Sequence, residues 1–263
     1  MFDDWSFNTT DIGDAKLILL PMAVVVLCLA AHVGIGYARH GARAPGPSVR
    51  ALYLGTAAFA LASGSWAASL LRLSEATPFP LGYGAGRLLL AWAAAWSTMA
   101  LALAWPVSRR GPASVLTGGV LIGVGAVLAQ ALLVDSAALR PGAAWNSLLL
   151  GLALAIPPLG GGAGLWLAML GPGRDGSHRH QWRWVAAGLL AAMALCGQEM
   201  VMEAGSVGDQ RSSANTDEVP GTVACLLAGA AVPIVLLVLA VDLRLRRPTR
   251  VRRRPESLPT MAR

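Results

Sequence analysis

From residue 17 onward the chain alternates long apolar runs with short polar breaks, and the runs are close to one another in length. Stretches 17–37, 51–71, 88–107, 114–134, 145–170, 182–204 and 223–243 each approach the roughly 20 residues that carry a helix across about 30 Å of hydrocarbon. Only small hydroxyl residues interrupt 51–71, and 88–107 stays apolar through Trp92, Trp96 and Trp105. Charge returns where these two runs end, at Arg72, Glu75 and Arg87. A soluble helix pair would keep a polar face along its length, and this pair has none. The pattern predicts an all-α integral membrane bundle of seven transmembrane helices. Its fifth helix is expected to bend or break at Pro157, Pro158 and the Gly160, Gly161, Gly162 run.

Composition supports lipid as the solvent. With 55% hydrophobic and 13% charged side chains over 263 residues, the chain has too little polar surface for a soluble globule. The net charge of +7 would suit nucleic acid, but the basic residues are sorted by membrane side and not along one recognition surface. The partner is therefore the bilayer, with no nucleic acid. Of 21 Lys and Arg, 16 fall in alternate connections and in the tail after residue 243, which puts the N-terminus outside and the C-terminus in the cytoplasm. The chain divides into a transmembrane domain, 1–243, and a basic cytoplasmic tail, 244–263, which is too short for an output domain. In that tail Arg246, Arg247, Arg252, Arg253 and Arg254 either anchor the topology or meet anionic lipid headgroups, each contributing on the order of 1 kcal/mol. The first 15 residues are acidic, unlike the basic start of a signal peptide, so the first span is expected to be retained.

Internal similarity sharpens the picture. The stretch 80–91 (PLGYGAGRLLLA) is echoed by 141–151 (PGAAWNSLLLG) and more weakly by 220–227 (PGTVACLL), each at a turn leading back into a span. Three hairpins thus follow a lone first helix. The preceding helix ends also match: 64–73 (GSWAASLLRL), 123–131 (GVGAVLAQA) and 196–204 (CGQEMVMEA). In this layout the chain resembles the MHYT family of bacterial membrane sensor domains, whose three repeats carry a Met-His-Tyr-Thr-Gly-Met helix end followed by an outer turn with a Tyr, here Tyr83. The resemblance implies an outside N-terminus, a place in the bacterial cytoplasmic membrane, and a copper ion held by His and Met for sensing oxygen, carbon monoxide or nitric oxide. It also implies a membrane or cytoplasmic signalling partner. No copy keeps the histidine. Its place is taken by Ser69, Gln130 and Glu199, the first two each 11 residues before the matching proline. The resemblance therefore points to a degenerate or repurposed member.

Candidate chemistry is sparse. Ser69, Gln130 and Glu199, with Glu203 one turn on, would form a polar pocket if three similar hairpins turn them toward one interior. Alternatively Glu199 reaches the headgroup region alone. Met193, Cys196 and Met200 share one helical stripe with Glu203. Thioether and thiol groups suit Cu(I), and they are equally ordinary fillers between helices. Cys28, Cys196 and Cys225 form no framework for disulfides. His32 reads as packed or snorkelling, and His178 and His180 lack neighbours for a metal. No nucleophile elbow, zincin or phosphate-loop signature is present, so no enzyme is expected. Two functions fit: a sensory or regulatory membrane protein acting through partners, or a small transporter or metal-handling assembly factor. A topology reporter fused after Leu243 should be active only on the cytoplasmic side, and one fused within 206–218 only outside; both on the same side would remove the seventh span.

Overall fold

The computed structural model describes residues 9–76, 81–109, 111–137, 139–140, 145–170, 179–205, 211–212 and 218–246. Seven helices in it are long and apolar enough to cross a membrane. They are α1 (Thr9–Arg43), α2 (Pro47–Ala76), α3 (Ala85–Ser108), α4 (Pro112–Ser136), α5 (Ser147–Leu170), α6 (Arg179–Ala204) and α7 (Gly221–Leu245). Two of them start at proline, where the missing N–H would be unpaired in any case. The start of α5 is capped by Asn146, whose Oδ1 accepts from the Leu148 amide at 3.0 Å.

Each of α1 to α6 packs on its neighbour in sequence, and α6 closes back onto α1. The seventh helix lies outside against α1 and α2. Helix α2 is the most enclosed, with 72% of its apolar window buried against 17% for α7. Its composition follows from that position. Neighbours approach it on several sides, so its buried face is built from Ala57, Ala60, Ser63, Gly64, Ala67 and Ala68, which let backbones come close. Helix α7 carries large aliphatic side chains outward instead, among them Leu226, Ile234 and Val238.

The α4–α5 seam brings backbone closest to backbone. A Cβ on Gly119 would stand 2.2 Å from the Gly162 Cα, and one on Gly123 would stand 2.4 Å from the Pro158 Cα. Backbone therefore lies on backbone there. Two repeat glycines instead make room for side chains of the preceding helix: a Cβ on Gly64 of α2 would meet the Ala30 Cβ of α1, and one on Gly125 of α4 would meet the Thr98 Oγ1 of α3. For the third repeat helix, α6, the arrangement is reversed, since the glycine, Gly160, belongs to the preceding helix α5 and receives Met193 of α6.

One expectation needs correction. Helix α5 does not break at Pro157 and Pro158 but runs through them as one element, the glycines after them serving contact with α4. The irregular turn lies elsewhere, at 227–231 of α7, where the chain adopts a π-helical turn. Its cause is Pro233, which cannot donate to the carbonyl four residues earlier.

The connections after α2, α4 and α6 meet at one end of the bundle, the strand end. Strand β1 (Gly82–Gly84) pairs antiparallel with β4 (Glu218–Pro220), Tyr83 opposite Val219. Strand β2 (Leu139–Arg140) pairs with β3 (Arg211–Ser212). The long third loop thus clasps both of the others. The opposite end carries the α1–α2 and α3–α4 turns and is the basic end.

Gly123→Val and Gly64→Leu should each lower the yield of monodisperse protein, since overpacking costs about 1–3 kcal/mol. Gly55, with nothing near its Cβ position, should tolerate leucine. Size-exclusion profiles of the three variants check this, and equal yields would contradict the seam.

Candidate polar site

Helices α2, α4 and α6 run in the same direction, toward the strand end. A cavity of about 40 Å3 lies between them, lined by Ser65 from α2, Ala126 from α4 and Ala194 from α6. It has room for a water or two. One helical turn further toward the strand end come Ser69, Gln130 and Gln198, each four residues beyond a lining residue. The three repeats therefore deliver equivalent side chains to one level of one interior. All three are buried, at 3%, 1% and 3% exposure.

The hydrogen bonds follow from that placement. Ser69 Oγ donates to the Ser65 carbonyl at 2.9 Å, and Gln198 Nε2 donates to Ser69 Oγ at 3.0 Å and to the Ser65 carbonyl at 3.3 Å. Helices α2 and α6 are joined here by a neutral amide. The Gln198 Oε1 and both amide atoms of Gln130 have no protein partner. A buried primary amide left open in this way is a strong donor and acceptor kept out of water.

The third member of this set is Gln198 and not Glu199. Glu199 turns to α2 near its strand end, where Arg72 Nε donates to its Oε1 at 2.7 Å and Nη2 reaches the same oxygen. Arg72 also bonds Glu75, one turn along α2. The Arg72 side chain is 12% exposed and that of Glu199 44%, so the pair sits at the rim of the interior. Physical chemistry explains the shift of one residue. An amide costs far less to bury than a carboxylate, and the carboxylate takes the position from which it meets a guanidinium. Glu203 is exposed and joins no part of the node.

The remaining candidates disperse. Met193 fills the space left by Gly160, and Met200 packs at the edge of the apolar core, while Cys196 is half-buried and unoxidised. Among the described residues no three His, Cys, Asp or Glu gather into a metal-ligand set. Ser69, Gln130 and Gln198 offer only neutral oxygen and amide groups, which do not fit a copper ion that prefers imidazole, thiolate and thioether. His32 stacks on Trp184 with ring centroids 4.0 Å apart. In the tail, Arg246 donates to Asp242 at 2.7 Å, and Asp242 also accepts from Tyr37 Oη at 2.6 Å. Arg247, Arg252, Arg253 and Arg254 lie outside the described residues.

Tyr83, the turn tyrosine, is fully buried beside Ser74 and Cys225, and burial holds its phenol above the ordinary value. It plugs the strand end between α2 and α7.

Seven apolar helices around a small polar interior define a multi-pass membrane protein. Over 248 residues the chain is 28% identical to the bifunctional diguanylate cyclase/cyclic di-GMP phosphodiesterase MucR of Pseudomonas aeruginosa. The match covers 91% of this chain and 36% of MucR, so the chain spans about a third of that relative's length. No protein-family profile and no solved structure matches the chain.

Replacing Gln198 by Leu should cost about 1 kcal/mol through the lost bond to Ser69. Gln130→Leu should be neutral or stabilising, because it removes a buried amide that has no protein partner. Thermal melts in one detergent check both, and a Gln130→Leu loss as large as that of Gln198→Leu would show that Gln130 is bonded.

Proposed function

We propose that this bundle is a sensory or regulatory membrane module of the MHYT type whose histidine positions have become a neutral polar node, and that it reports its state to a signalling partner. The observation that carries the reading is the convergence of Ser69, Gln130 and Gln198 at one level of α2, α4 and α6, with Gln198 bonded to Ser69. That is the symmetry the repeat implies, with the ligand chemistry changed. The likeness to MucR, a protein named for making and degrading cyclic di-GMP, favours signalling over transport.

In this reading the node is the bistable element. The Ser69–Gln198 bond holds α2 to α6, and the open amide of Gln130 on α4 offers an alternative partner to either. A shift of α4 or α6 by a fraction of a turn would exchange these partners and move the strand-end clasp with them. No copper step enters, since the donors present do not suit it.

The test is a fusion in which this chain replaces the matched region of MucR, with cyclic di-GMP measured in cells. Gln198→Leu or Ser69→Ala should change the output by roughly threefold, the equivalent of about 0.6 kcal/mol of helix–helix bonding. Leu148→Ala, at a site 72% exposed on the outer surface, should leave it as it was. Identical output from all variants would contradict a signalling role for the node.

A further inference from the structure

Helix α7 is fastened at both ends and lightly between them. At the strand end β4 leads into it, paired with β1, and the Gly221 amide donates to the Leu81 carbonyl at 2.8 Å. Next comes the π-helical turn at 227–231, and the limb that follows it, Val232–Leu245, buries only Leu236 and Leu243. Ile234, Leu237, Val238 and Val241 of the same limb are each more than half exposed. Lipid solvates such a surface about as well as a neighbouring helix does, so apolar burial alone does not decide whether the limb docks.

Polar contacts at the basic end supply what burial lacks. The buried Tyr37 of α1 donates from Oη to Asp242 Oδ2 at 2.6 Å, and the Leu239 carbonyl lies 3.2 Å from the same oxygen. A hydroxyl has one proton to give, and the shorter contact is the one to the carboxylate. Beside it Leu243 seats against Gly36 of α1, where a Cβ would meet its Cδ2. Arg246 approaches the ring of Tyr53 of α2 at 6.0 Å. Undocking strands no charge in lipid: the Asp242 side chain is 37% exposed and keeps its ion pair with Arg246, four residues on in the same chain, at 2.7 Å. What it chiefly loses is one hydrogen bond to a charged acceptor and the seat of Leu243.

We propose that the Tyr37–Asp242 contact is a latch. Closed, it holds the limb 232–245 on α1; open, it frees the limb to swing about the π turn as a lever while α1 to α6 stay together. The six helices do not need α7 for closure, because α6 packs back on α1. Single π turns inside α-helices are frequent at functional sites, and here the turn separates the part of α7 pinned by the strands from the part held by the tyrosine. The limb has 14 residues and is about 21 Å long, so a swing of about 15° moves its basic end by about 5 Å. The latch lies at the opposite end of the bundle from the polar node and does not rest on the sensory reading of that node.

The test measures spin-label distances by pulsed electron paramagnetic resonance on the full chain in lipid nanodiscs, with Cys28→Ala, Cys196→Ala and Cys225→Ser as the background. Labels on Ser108→Cys and Arg244→Cys, both at exposed positions of the basic end, follow the limb. Labels on Val49→Cys and Ser108→Cys, at the ends of α2 and α3, follow the bundle itself. Tyr37→Phe removes a single hydroxyl and should raise the share of a second limb distance, displaced by about 5 Å, by about tenfold, with the bundle pair unmoved. Asp242→Ala breaks the same bond from α7 and decides the matter if Tyr37→Phe gives no folded protein. Leu245→Ala, at a side chain 79% exposed, is the control and should keep the original distribution. A limb distance unchanged in the folded latch variant, a bundle pair that shifts as much as the limb, or an equal shift in Leu245→Ala would overturn the proposal.

Discussion

Inside a bilayer there is no water to drive helices together, so association rests on how closely backbones can approach. In this chain backbone comes closest to backbone at the α4–α5 seam, where Gly119 and Gly123 lie against Gly162 and Pro158. The other positions follow from it. With α4 drawn onto α5, and α2 held to α1 through Gly64 and Ala30, the even-numbered helices turn one face each toward a common interior. The small residues of α2 let it occupy the middle of this arrangement, and the large aliphatic residues of α7 keep that helix on the lipid side.

The polar groups are sorted by cost along the same axis. Deep in the interior the residues are neutral: Ser65, Ser69, Gln130 and Gln198. Charge appears only near the rim, where Arg72 serves two carboxylates and one of them, Glu199, is nearly half exposed. Beyond it the strand clasp ties the third loop to the first and the second. The node is thus enclosed by packing on its sides and by paired backbone at its end. A small change in helix position at the node has a direct route to the loops.

Much of this was legible in the sequence. Length and polarity of the runs located all seven helices, because a membrane span must satisfy its backbone internally and so must be long and uninterrupted. The repeat located Ser69 and Gln130 and the glycines five residues before them, Gly64 and Gly125. What failed was a register of one residue in the third copy. Gly197, Gln198 and Glu199 are consecutive, the loop after them is longer than in the other copies, and no spacing distinguishes the last two. The cost of burying a carboxylate was the available signal, and it favours Gln198. The bond from Arg72 to Glu199 spans 127 positions and left no local trace. The expected break in α5 overstated the effect of two prolines in a helix whose neighbour fits against it.

The account depends on Gln198, and not Glu199, being the third member of the repeat's buried set. A double-mutant cycle on thermal stability measures this directly, pairing Ser69→Ala with Gln198→Leu and, separately, with Glu199→Leu. The account predicts a coupling of about 0.6–1 kcal/mol for the first pair and none for the second. Coupling between Ser69 and Glu199, with none to Gln198, would contradict it.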